Sequence, residues 1–508
     1  MDLAFVQSVW DRLPYHHFPD RILSKLRGHW ETKAIEILTA LADNRNVGLV
    51  GDTGSGKTIV AILAALGLRS RTLFLAPTRY LVYDHGERFN RITGRPEEAV
   101  CFTGDTNAGK RDWNNSVRRL IFCTPETFWS DFRKHRIRDI RDFNLVIFDE
   151  CHTVVGRKDS IWIAKVANDF KLPIIALTAS PGGNIERIET IKSNCFINEF
   201  MRLEVPMPAK YENCLFVPMD ETLRKIDHLF GELTVLLLLK LHRLGVHFDP
   251  TRTDIKSLKA IGLLKNWQEK TALAHLFYLH HAHWTAVTES YSTLLVYDSE
   301  LQVRAVKSAC IRDFLYHQHW QEIVSRAREN EDDHPKIRAF VELVQERANL
   351  NQRMLVFVNN KETGRYLIRQ LETAGIRADK VFGGRDRRTK LQRETLARLS
   401  AGELDVVIAT STLELGVSVP EVNVVVHYSL PMTETSRIQR SGRTGRFRSG
   451  EVIFLTMSHR FDEAIYWGVK KEERTMKNIV GGRMQTRPEP KHELPLFDGS
   501  FEPRLSRR

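Results

Sequence analysis

The chain has few long apolar stretches. Spanning a bilayer as a helix takes about 20 consecutive apolar residues, whereas the leucine-rich run at 235–239 stops after 5. The 6 cysteines, at positions 101, 123, 151, 195, 214 and 310, stand apart with no C-x-x-C spacing. That argues against a zinc ribbon, an iron–sulfur cluster and a secreted disulfide framework. Met1-Asp2-Leu3 lacks the basic-then-apolar order of a secretion signal. These absences predict a reduced, cytoplasmic setting, nucleoid-associated in a prokaryote. Positive charge, by contrast, is plentiful: 75 Lys and Arg against 63 Asp and Glu give a net +12 over 508 residues. Such an excess often meets a polyanion. With 42% hydrophobic and 27% charged residues, the composition is that of packed domains, about three by length.

Short, almost wholly apolar runs alternate with helical patterns between residues 20 and 205. The runs at 47–50, 72–75, 120–123, 145–148 and 174–177 read as strands buried on both faces of a parallel sheet. The alternation returns between 353 and 457, with strands expected at 354–358, 406–409, 422–427 and 452–456. The stretch between is leucine-rich with helical spacing. The expected organisation is therefore α/β: a first parallel-sheet domain over 1–205, a helical insert over 206–332, a second parallel-sheet domain over 333–483 and a tail over 484–508. Nine of the 19 histidines fall in the insert, His275, His280, His281 and His283 among them. Their spacing does not share one helix face and no Cys or carboxylate accompanies them, so they read as surface histidines of a helix rather than metal ligands.

Three motifs carry chemistry. Gly51-Asp52-Thr53-Gly54-Ser55-Gly56-Lys57-Thr58 follows the 47–50 strand and opens a helical pattern. Its glycines let backbone N–H groups turn toward phosphate, Lys57 reaches the β- and γ-phosphates, and the Thr58 hydroxyl suits Mg²⁺. Asp149-Glu150-Cys151-His152 caps the 145–148 strand, which fits a Mg²⁺-holding Asp149 and a Glu150 that polarises the attacking water. In the second α/β unit, Gln439-Arg440-Ser441-Gly442-Arg443-Thr444-Gly445-Arg446 offers guanidinium forks for a phosphoryl group in transfer.

In this order the blocks resemble a superfamily 2 helicase. Pro77-Thr78-Arg79 resembles motif Ia, Thr103-Gly104 motif Ib and Thr124-Pro125-Glu126 motif Ic. Thr178-Ala179-Ser180 resembles motif III, Val356-Phe357-Val358 motif IV, and residues 409–420, with Thr410 and Gly416, motif V. D-E-C-H with a helical insert is similar to the Hef, Fanconi-M, Dicer and RIG-I-like group. His334-Pro335-Lys336 and the stretch at 460–467 are similar to archaeal Hef, without the nuclease that Hef carries. The resemblance implies two RecA-like domains with ATP and Mg²⁺ between them. It places Lys57, Asp149, Glu150, Gln439, Arg443 and Arg446 at hydrolysis, and the motif Ia, Ib and Ic residues with His152, Thr178, Ser180 and Thr410 at nucleic-acid contact and coupling. Two departures stand out. The segment Leu26-Arg27-Gly28-His29-Trp30-Glu31 lacks the adenine-reading Gln, leaving Arg27 and Trp30 to stack on a base. Ser418 stands where an Asp meets the ribose.

The resulting expectation is an ATP-driven DNA helicase or translocase on forked or branched DNA, in fork repair or recombination, with the tail available to a replication or repair protein. A double-stranded RNA translocase is the alternative within the group. A nucleic-acid-binding scaffold with a weakened motor is the alternative of another class.

Overall fold

The computed structural model describes residues 20–68, 71–115, 117–134, 136–137, 139–246, 266–383, 388–413, 421–445 and 448–480. The expected tail, Gly416, Ser418 and Arg446 lie outside these residues, as does the side chain of Arg27.

The first unit is a 7-stranded sheet in the order β3-β4-β2-β5-β6-β1-β7. Its strands are β1 (Val47–Val50), β2 (Thr72–Leu75), β3 (Ala99–Phe102), β4 (Leu120–Cys123), β5 (Leu145–Phe148), β6 (Ile174–Thr178) and β7 (Glu199–Arg202). The second is a 6-stranded sheet in the order β10-β11-β9-β12-β13-β8. It is built from β8 (Lys210–Val217), β9 (Met354–Phe357), β10 (Ala378–Val381), β11 (Val406–Ala409), β12 (Val424–His427) and β13 (Gly450–Met457). Every pairing is parallel. Parallel neighbours need crossover helices on the sheet faces, so interior strands are covered on both sides. β1, β2, β4, β5, β6, β9, β11 and β12 are accordingly buried along their whole length.

The four strands absent from the sequence reading, β3, β7, β8 and β10, are the four sheet edges. Three of them carry mixed sequences such as Glu199-Phe200-Met201-Arg202, while β3 reads AVCF and is only half-covered. One of them moves a boundary. β8 lies within the segment expected to be helical from 206 onward, yet it pairs with β13 along eight residues. A strand of the second sheet thus precedes the helices.

Those helices, Glu221–Arg243, Trp267–Thr288, Tyr291–Ala305, Ala309–Leu315 and Gln318–Glu329, do not form a separate body. Leu223, Phe230, Leu276 and Trp320 share one continuous apolar core with Phe340, Val356, Ile408 and Val426 of the second unit. Removing the insert would expose one face of that sheet. Polar groups also pin the insert to helices of the second unit: buried Lys336 donates to Thr288 O at 2.8 Å and to Asp462 at 3.0 Å.

The insert histidines correct a second expectation. His275 and His283 are buried rather than on the surface, and burial lowers the His283 imidazole to about 4. Asp227, His283 and His459 bring ligand atoms within 4.8 Å of one another. His459 Nδ1 accepts from the Phe461 N–H at 3.3 Å, so its Nε2 bears the proton and faces Asp227 Oδ1 at 3.3 Å. His283 Nε2 meets the same oxygen at 2.6 Å. A metal would need the Nε2 lone pair of His459. The trio is instead a hydrogen-bonded clamp joining two insert helices to the loop after β13.

Candidate nucleotide and nucleic-acid site

The phosphate loop runs from the end of β1 into the helix Lys57–Gly67, with Thr58 as the second helical residue. Gly54 and Gly56 have φ of 88° and 95°, conformations that a Cβ disfavours. Gly56 caps the helix without a side-chain hydrogen bond, leaving the positive helix end to the loop. Lys57 Nζ donates to Gly51 O at 2.6 Å and Asp52 O at 2.9 Å. The Ser55 hydroxyl is buried without a hydrogen-bond partner among the described residues. The loop is thus a cradle of donors whose lysine lies folded across it.

Trp30 corrects the sequence expectation. Its ring is 5% exposed and lies beneath the loop: Nε1 donates to Ser55 O at 2.8 Å, and a Cβ on Gly56 would come within 2.4 Å of that nitrogen. It supports the loop's shape and has no face for a base. Trp30→Phe should keep most of the packing but lose a hydrogen bond of about 1 kcal/mol, weakening ATP binding more than folding. Trp30→Ala should lower unfolding free energy by about 3–5 kcal/mol. Denaturant titration beside nucleotide binding separates the two.

Asp149 and Glu150 follow β5. Asp149 is 8% exposed, and its Oδ2 lies 2.6 Å from His85 Nε2. Glu150 has φ 48°, a left-handed conformation rare for a residue with a side chain; such outliers gather at functional sites. Burial alone would raise its carboxyl, but His152 beside it and the charges of Lys57 and Arg443 outweigh burial and hold it below the usual range. It is ionised at neutral pH.

A chain of hydrogen bonds crosses from this strand end to the second unit. The Thr178 hydroxyl donates to Ser180 O at 2.7 Å, so His152 Nδ1 is the donor toward Thr178 Oγ1 at 3.1 Å. His152 Nε2 is then the acceptor for the Gln439 amide at 3.4 Å. Ser180 Oγ donates to Glu434 at 3.3 Å. Gln439 and Glu434 both lie on the helix Glu434–Ser441. Just beyond it, Gly442 sits so close to the loop that a Cβ there would fall 2.5 Å from Thr53 Cβ. Arg443 is buried, with its charge felt at Glu150. Arg440 turns the other way, to Asn359 at 3.0 Å and over the Phe357 ring, and serves the second unit's own packing.

Most of the residues expected at nucleic acid follow the carboxyl ends of β2, β3 and β4 in the first sheet. Pro77 precedes Thr78, which caps the helix Arg79–Thr93. Arg79 pairs with Asp105 at 2.5 Å and crowds Gly104. Buried Thr103 meets Tyr83 OH at 2.9 Å. Thr124 caps the helix that Pro125 opens, and Glu126 pairs with Arg157. Thr410 sits at the end of β11, where its hydroxyl accepts from Gly383 N at 3.3 Å. The sequence reading missed His85, Glu434 and Asn359. His85 had a signal: with Val82 and Phe89 it forms the buried face of its helix, and a polar residue on such a face demands a partner.

A phosphate loop and an acidic strand end on one parallel sheet, closed by a Gln/Arg helix from a second sheet, define a two-unit RecA-like NTPase. The chain belongs to the superfamily 2 helicases: the DEAD/DEAH box helicase family matches residues 32–188 and the helicase conserved C-terminal domain matches residues 335–448. It is similar to the solved helicase domain of Pyrococcus furiosus Hef, at 28% identity and a TM-score of 0.63, covering 86% of this chain and 97% of that one. A putative ATP-dependent RNA helicase of Methanocaldococcus jannaschii is 26% identical over 88% of this chain and 60% of its own length. The ATP-dependent DNA helicase fml1 of Schizosaccharomyces pombe is 24% identical over 87% and 59%. The chain thus spans about three-fifths of these two curated relatives. Among the described residues no helix is long and apolar enough to cross a membrane.

Proposed function

We propose that the chain is an ATP-dependent DNA translocase or helicase acting on forked or branched DNA. The observation that supports this most is the hydrogen-bonded path Gln439–His152–Thr178–Ser180, which joins the second unit to the strand end beside Glu150. ATP phosphates would lie on the loop 51–58, with Lys57 swung from its carbonyls to the β- and γ-oxygens. Thr58 and Asp149 would hold Mg²⁺. The donor set fits a hard cation: a hydroxyl, and a carboxylate with Oδ2 taken by His85 and Oδ1 making no hydrogen bond among the described residues. Bound there, Mg²⁺ would neutralise developing phosphate charge. Glu150 would orient the attacking water, while Arg443 and Arg446 would meet the phosphoryl group from the second unit. With Trp30 committed beneath the loop, a base is left to the segment around Arg27. The insert would grip the duplex arm beside the motor.

DNA is favoured because fml1 is an ATP-dependent DNA helicase, and the motif resemblance to the Hef group implies branched substrates. ATPase stimulation across single-stranded, duplex, forked and four-way DNA and matched RNAs tests this. Forked or four-way DNA should stimulate most. Greatest stimulation by RNA duplex would favour RNA as the substrate, as for the putative RNA helicase of Methanocaldococcus jannaschii, and stimulation by nothing would reject the motor.

A further inference from the structure

We propose that His85 positions the cation-holding carboxylate of Asp149 and ties it mechanically to the nucleic-acid edge. The inference rests on the ATP-driven reading above and adds to it a residue outside the phosphate loop, the D-E-C-H box and the arginine segment.

His85 is 3% exposed and lies in the second turn of the helix Arg79–Thr93. Its ring is held by Phe74 at 5.2 Å and Phe122 at 6.4 Å between centroids. Nε2 lies 2.6 Å from Asp149 Oδ2. An ionised carboxylate only accepts, so Nε2 carries the hydrogen and donates it. Nδ1 makes no hydrogen bond among the described residues and faces the Asp84 carboxylate from 4.0 Å. One Asp149 oxygen is thereby fixed in direction, and the other makes no hydrogen bond among the described residues. A hydrogen bond to a ligating carboxylate orients it, and losing such a partner costs about 10–100-fold in metal affinity or activity.

The same helix touches the nucleic-acid edge at three points. Thr78 caps it, Arg79 pairs with Asp105, and Tyr83 meets the Thr103 hydroxyl at 2.9 Å. A strand pressing on Thr78 and the 103–105 turn bears on a rigid rod whose second turn holds Asp149. Helix register is stiff, so a small shift at the cap moves the His85 nitrogen with it. The geometry gives nucleic acid a route to the cation site that does not pass through the second unit.

Two substitutions test this. His85→Phe keeps a ring between Phe74 and Phe122 but has no N–H. His85→Gln places an amide N–H at similar reach. His85→Phe should lower DNA-stimulated kcat about 10–100-fold with little change in ATP KM, and raise the Mg²⁺ concentration needed for half-maximal binding of a non-hydrolysable ATP analogue by a similar factor. Its affinity for forked DNA without nucleotide should stay within about twofold of wild type. His85→Gln should recover most of both losses. A His85→Phe protein with wild-type Mg²⁺ dependence and stimulation would overturn the proposal. So would a His85→Gln protein as impaired as His85→Phe, because packing rather than the hydrogen bond would then set the rate. If His85→Phe fails to fold, His85→Gln decides alone: near-wild-type Mg²⁺ dependence supports the proposal, and loss of it in a folded protein overturns it. Absence of DNA-stimulated turnover in the wild type would be a failure of the motor reading, recognisable before either variant is made.

Discussion

Glu150→Gln is expected to lower nucleic-acid-stimulated ATP turnover by about 10²–10⁴-fold, the range for losing a positioned general base, while ATP still binds. The carboxylate is buried, yet held ionised by His152, Lys57 and Arg443, so it can accept a hydrogen bond from a water and take up its proton, which the amide of Gln cannot do. Gln keeps the volume and the left-handed backbone at that position. A fold defect is therefore not expected, and thermal melting beside nucleotide binding checks it. Stimulated turnover near the wild-type rate would remove Glu150 from the chemistry.

Arg443→Ala is the second large effect. Arg443 comes from the unit opposite the phosphate loop and is buried where its charge reaches Glu150. A guanidinium supplied this way acts chiefly on the transition state and accounts for about 10³–10⁵-fold in kcat in related phosphoryl transfers. The expected result is a fall of that order in kcat with ATP affinity changed only a few-fold. Intact turnover with lost DNA affinity would place Arg443 in the nucleic-acid groove instead.

Which elements could be read from the amino acids follows from how each is buried. Every interior strand of both sheets was visible, because a strand covered on both faces reads as a nearly unbroken apolar run such as Leu145–Phe148. The edge strands were not: β7, β8 and β10 have mixed sequences because an edge faces water on one side, and the short apolar run of β3 was passed over. β8, at Lys210–Val217, reads KYENCLFV; only its pairing with β13 reveals that it belongs to the second sheet. The same limit explains the insert. Helical periodicity showed the helices, while the continuity of their core with Val356 and Ile408 is a long-range property that no local pattern carries.

The site divides in a similar way. The phosphate loop, the D-E-C-H box and the arginine segment are contiguous, so their chemistry is written in order along the chain. His85 and Asp149 are 64 residues apart, and Ser180 and Glu434 are 254 apart; such pairs exist only once crossovers have been folded. Trp30 shows the converse. Its place in the segment resembling an adenine-reading motif suggested a stacking platform, but a large apolar ring beside a glycine-rich loop gains more by filling the space beneath it. The indole N–H then finds Ser55 O.

The central claim is that one hydrolysis site is shared by the two units and answers to nucleic acid. Steady-state ATP hydrolysis by the wild-type chain and Arg443→Ala, each with and without saturating forked DNA, tests it most directly. The account predicts that DNA raises wild-type kcat by tenfold or more and leaves Arg443→Ala close to its unstimulated rate. Hydrolysis by the wild type that ignores every nucleic acid, or an Arg443→Ala protein that responds to DNA as the wild type does, would contradict it.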